Sequence, residues 1–216
     1  MTDELELLKK HWQNKDAELP KLSYTDIHKM IWKKSSSIVK WILIISVLEF
    51  SLPHLLYLIP SMQDSLKVYE NIGVSKYLLG LSIISYAVVI YFIVQFYKRF
   101  KEISVLDNSK NLMRKIIRTR KTVKHYVIFS LTMIMVTVLI MIVGVYLSDD
   151  IASAFPDLKD SLEEISPDKL KITLMLSMGI FGILLTLFMG GVYFLIYGLL
   201  LRKLKRNYNE LRQLEI

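Results

Sequence analysis

The sequence predicts an all-α membrane protein: a four-transmembrane-helix bundle with a cytoplasmic helical arm, hairpin and tail. Three observations lead there. Four runs, Ile38–Ile59, Tyr77–Tyr97, Tyr126–Leu147 and Ile172–Leu201, are long and almost wholly apolar, and a spanning helix takes about 20 such residues. Lys and Arg are asymmetric: seven lie in the arm up to Lys34, ten between 98 and 124 and five after Leu201, against five in the other two connections. Positive charge gathers on the cytoplasmic side, so both termini and the middle connection are expected there. Lastly, the polar segments between the runs carry apolar residues at helical spacing.

Composition narrows the function. Of 216 residues 53% are hydrophobic and none is cysteine, which excludes disulfide frameworks and thiol chemistry. The net charge of +8 is read as a topology signal. No aromatic stacking groove accompanies it, so nucleic acid is not an expected partner. Charged sequence precedes the first run and no cleavage signature follows a short apolar region, so the first span is expected to be its own signal-anchor.

Residues 1–35 read as a cytoplasmic amphipathic arm. Leu5, Leu8 and Trp12 share one face of a short helix. After Pro20, Ser23 and Asp26 form a capping box that opens a second helix through Ile27, Met30 and Ile31. Two readings stand: both helices pack on the bundle or lie in the lipid interface, or Leu5, Leu8, Trp12, Ile27 and Ile31 bind a cytoplasmic protein partner.

Residues 36–201 form the bundle. In its first span Pro53 removes the hydrogen bond to the Glu49 carbonyl and predicts a kink beside the lone carboxylate of the apolar runs. His54 points roughly 140° away from Glu49. Counting depth along the other spans offers Ser85, Tyr86, Thr137 and Thr186 as its partners. Glu49 is either a neutral acid hydrogen-bonded between helices or, with His54, Tyr86 and Thr186, a proton or cation site.

The second span ends in aromatic and basic residues, and 98–125 is expected to be a helical hairpin turning at Asp107-Asn108-Ser109. Its Arg114, Lys115, Arg118, Arg120 and Lys121 would contact anionic lipid or an acidic protein partner. The outer loop, 148–171, is acidic, with Ile151, Phe155, Leu158, Leu162 and Ile165 at helical spacing and Pro156 near the first turn. Its carboxylates lack a calcium-loop pattern and read as a solvated face. Gly179, Gly182 and Gly190 on the fourth span permit close helix packing, within the bundle or in a homo-oligomer. The tail, 202–216, continues that helix; Leu200, Leu204, Asn207, Leu211 and Leu214 form a short seam with Asn207 setting register, its partner the hairpin or a second copy.

No nucleotide-binding loop, zinc-protease or serine-hydrolase motif is present, and no metal is expected. His11, His28 and His125 lie in the arm or at the span edge, leaving His54 alone at depth.

The stretches LELLKKHWQ, PKLSYTDIHKMIWKKSSSIVKWI and ISVLEF resemble a family of small four-span inner-membrane proteins of Gram-negative bacteria. Some members carry a carotene-cleaving oxygenase label, and others look like membrane partners of alternative sigma factors. The resemblance implies a bacterial inner-membrane location and, in the sigma-partner form, an anti-sigma-like docking role. Oxygenase activity would imply a non-haem iron held by several intramembrane histidines, a set this chain lacks. The expectation is a non-enzymatic scaffold or regulator, without cofactors, that binds a cytoplasmic protein partner through residues 1–35. The alternative is a transporter or accessory subunit of a membrane complex, with its polar site at Glu49.

Overall fold

The computed structural model describes residues 6 and 9, 23–56, 68–104, 108–148 and 166–214. Leu5, Leu8, Trp12 and the acidic segment 149–165 lie outside the described residues. The chain forms α1 (Tyr24–Leu56), α2 (Ser75–Ser104), α3 (Ser109–Leu147), α4 (Pro167–Tyr193), a π-helical turn (Phe194–Gly198) and α5 (Leu199–Leu214), with no strand among the described residues. Four helices are long and apolar enough to cross a membrane, the fourth running through α4, the π turn and α5.

The helix ends follow from local chemistry. The Ser23 backbone N–H donates to Asp26 Oδ2 at 3.3 Å and the Asp26 backbone N–H to Ser23 Oγ at 3.2 Å, the reciprocal capping box the spacing predicts. Asn108 caps α3 by accepting from the Asn111 backbone N–H at 2.9 Å. Pro167 stands in the first turn of α4, where its missing N–H costs nothing. Gly73, at φ 76°, takes the left-handed conformation that turns residues 68–71 into α2.

The helices run up and down. Tyr24 Oη lies 2.8 Å from Ser109 Oγ and Trp32 Nε1 donates to the Ile103 carbonyl at 2.6 Å, which fixes the end where α1 starts, α2 ends and α3 starts; we call it the basic end. At the opposite, far end Gly144 of α3 lies against Val74 and Ile72.

The molecule is packed unevenly along its length. The main core joins Ile31, Val39, Ile42, Phe96, Ile103, Leu112, Ile116, Tyr126, Tyr197, Leu204 and Leu211, all at the basic end or in the adjoining half of the apolar runs. The far end has a small cluster of Ile72, Val74, Val145 and Leu170. Outward faces are apolar: Leu176, Phe181, Leu184, Leu187 and Phe188 of α4 are each 60% exposed or more. In water that row would be an aggregation liability; lipid accommodates it, in keeping with a multi-pass membrane protein.

α3, at 39 residues, is roughly 58 Å long, about twice the hydrocarbon thickness. Its first turns, the end of α2, the start of α1 and α5 therefore make a second four-helix bundle beyond the apolar runs. The tail's partners lie within the chain: α5 packs on α1 and α3, and Asn207 Nδ2 donates to Ser35 Oγ at 3.0 Å in a buried bond.

Candidate functional site

Glu49 is met by the fourth helix. Tyr193 Oη donates to Glu49 Oε1, and Tyr197 Oη donates to Oε2 at 3.0 Å. A carboxyl group in apolar surroundings is costly unless both oxygens find partners, and these phenols supply them. The two tyrosines sit four residues apart, Tyr197 on the π turn, with ring centroids 5.9 Å apart. A π turn is a locally widened helix that is over-represented at functional sites.

An aromatic layer closes the basic-end side. Tyr126 presents its edge to Tyr197 at 5.8 Å and packs on Tyr193 at 6.4 Å; Phe92 and Phe96 each meet Tyr126 at 5.5 Å. Ile42 and Val39 of α1, both fully buried, share this core. On the other side of Glu49 the packing opens. A cavity of about 210 Å³ is lined by Glu49, Pro53, His54, Tyr86, Ser130 and Tyr193. Ser85 and Tyr86 also line a second cavity of about 510 Å³ that reaches Tyr69, Glu70 and Ser75 at the far end. The two cavities share Ser85 and Tyr86 in their walls, so polar side chains follow one another from Glu49 toward the far end.

The partners expected by depth do not reach it. Thr186 Oγ1 bonds the Gly182 carbonyl at 2.8 Å and Met135 Sδ at 3.2 Å, and Thr137 bonds the Met133 carbonyl at 2.9 Å. Thr186 precedes Tyr193 by seven residues, roughly 10 Å along the helix. The correction has a physical cause: a 30-residue apolar run exceeds the bilayer core, so its middle is no guide to depth. Tyr86 lines the cavity but packs on Phe50 and His54, at 5.9 and 5.1 Å, rather than bonding Glu49. His54 Nδ1 pairs with the Phe50 carbonyl at 2.8 Å and so serves its own helix. Tyr193 and Tyr197 are residues that sequence reasoning missed; two tyrosines four apart inside an apolar run were the signal.

The other expected site residues divide. Ile31 is buried and Ile27 partly buried in the main core, the arrangement that the bundle-packing reading of α1's first turns expects. Lys115 Nζ donates to the Glu102 carbonyl at 2.8 Å, closing the end of α2 rather than standing free for lipid. Arg114, Arg118 and Lys121 are exposed on the hairpin, whereas Arg120 is half-buried. Gly182 faces α3 so closely that an added Cβ would lie 2.5 Å from a Val138 methyl, and Gly179 and Gly190 face Ile142 and Leu131 at 3.9 Å. The glycines serve packing within the chain. No group of His, Asp and Glu fit to hold a metal occurs among the described residues.

The fold class is therefore an all-helical protein with four helices able to cross a membrane and one carboxyl–tyrosine cluster among them. A family model, described as a domain of unknown function (DUF8845), matches residues 25–216, and the chain belongs to that family. Neither a curated protein nor a solved structure matches it.

Proposed function

We propose that the chain is a multi-pass membrane protein, a small transporter or the accessory subunit of one, that takes up a proton or small cation at Glu49 from the side opposite its termini. The observation that carries this is Glu49 itself, bonded by Tyr193 and Tyr197 and lining a cavity that shares Ser85 and Tyr86 with a second one toward the far end; in this reading the two form one passage. The aromatic layer beneath it is what a closed inner gate requires. With the Lys and Arg excess inside, the passage faces outward.

The test uses the full chain in vesicles. A hydrophobic carbodiimide, which traps a protonated intramembrane carboxyl, should label Glu49, with labelling falling as pH rises or as a competing small cation is added. Infrared difference spectra should show the carboxyl stretch titrating in the native chain and absent in Glu49→Gln. A Glu49 unreactive and spectroscopically silent from pH 5 to 9, with or without cations, would sink the proposal.

A second reading, the non-enzymatic scaffold, is favoured by the bundle that α1, α2, α3 and α5 build beyond the apolar runs. In that reading the N-terminal arm, residues 1–35, binds a cytoplasmic protein through residues that include 1–22, with an anti-sigma-like role its most concrete form. Binding of such a partner that survives Glu49→Gln and is lost on removing residues 1–22 would select this reading.

A further inference from the structure

We infer that the groove between α1 and α5 at the basic end binds the headgroup of an anionic phospholipid. A cavity of about 520 Å³ lies there, with Lys33 and Lys34 on the α1 wall, Lys203 and Arg206 on the α5 wall, and Met30 and Ile38 as apolar lining. Four cations around one groove attract a phosphate strongly. Among the described residues, the ion pair to these four is Arg206 Nε–Glu210 Oε1 at 3.5 Å, on the exposed rim; such exposed pairs are weak.

The groove is built rather than incidental. Asn207, which lines it, is locked to Ser35 by the buried 3.0 Å bond, which holds the two walls together. Its depth also points to lipid. Residues 30, 34, 37 and 41 follow one stripe of α1, so Trp41, 56% exposed, lies one turn further toward the apolar run. Leu199, 48% exposed, lies one turn from Lys203 in the same direction. An exposed Trp at that level is an interface anchor. A bound phosphodiester would meet the four cations while its acyl chains lay along Trp41 and Leu199. A free phosphate has no use for that apolar wall, so the occupant is the lipid. The site is separate from Glu49 and stands without the transport reading.

The experiment is native mass spectrometry of the full chain, purified in mild detergent and loaded with equal amounts of phosphatidylglycerol and phosphatidylcholine of matched acyl chains. The native protein should retain the anionic lipid preferentially. K33Q/K34Q and K203Q/R206Q should each lower that preference roughly tenfold, whereas R114Q/R118Q/K121Q on the hairpin should change it less than about twofold. All these side chains are exposed, so the variants should fold. In the native chain, a phosphatidylglycerol analogue with a photoreactive headgroup should crosslink to segments 24–40 and 199–213. Equal losses from groove and hairpin variants would mean bulk charge attraction and overturn the site. Equal retention of the two lipids, crosslinks confined to other segments, or displacement of phosphatidylglycerol by millimolar inorganic phosphate would also overturn it.

Discussion

Glu49 accepts from two phenols on successive turns of one helix, and removing either should leave a half-buried oxygen with fewer partners. Tyr197→Phe should destabilise the bundle by about 1–3 kcal/mol, read as a lower thermal midpoint in detergent. In Glu49→Leu, which removes the group needing partners, Tyr197→Phe should cost far less, giving a coupling above about 0.5 kcal/mol in the double-mutant cycle. Additive effects would deny the pairing. At the mouth of α1, hydrogen bonds from the Ser23 side chain and backbone hold the Asp26 carboxyl below the usual carboxylate range, aided by Lys29. A depressed value means the cap stabilises the folded state when Asp26 is ionised, and that contribution fades as pH falls from the ordinary carboxylate range through the lower folded value. Ser23→Ala should therefore raise the Asp26 midpoint toward the ordinary range, measurable by carbon-detected NMR titration of the carboxyl.

At the level of elements, the α3–α4 contact depends on one absent side chain. A Cβ at residue 182 would sit 2.5 and 2.9 Å from the two Val138 methyls, and a β-branched residue on a helix has little rotamer freedom to yield. Gly182→Ala should cost about 1–3 kcal/mol and be largely rescued by Val138→Ala. Gly190→Ala, whose Cβ would meet Leu131 at an ordinary 3.9 Å, should cost little. The π turn belongs at this scale too. It marks where α4, leaning on α3 along its glycine face, passes into α5, which packs on both α1 and α3.

Across the whole molecule, the large core at the basic end governs what can be removed. Ile31 is 3% exposed in the main core, and Ser35 is fully buried against Asn207. Deleting residues 1–35 should therefore unfold the basic-end bundle, read as loss of its melting transition by circular dichroism.

Helices, their ends and their apolar runs were legible in the chain because they depend on near neighbours: the Ser23–Asp26 box, the Asn108 cap, the unbroken runs and the 204–207–211 seam need only local spacing. The inward use of Gly182 was legible as far as close packing, though not as to which helix it would meet. What encloses Glu49 was decided by the tertiary structure alone. Partner choice there depends on how far each helix slides along its neighbours, and apolar runs longer than the bilayer core leave that offset free. The fold set it so that Tyr193 and Tyr197, not Thr186, stand opposite the carboxyl. Ile27 and Ile31 were ambiguous for a similar reason: an amphipathic face states that something covers it, and only assembly of the chain showed that the chain covers it itself.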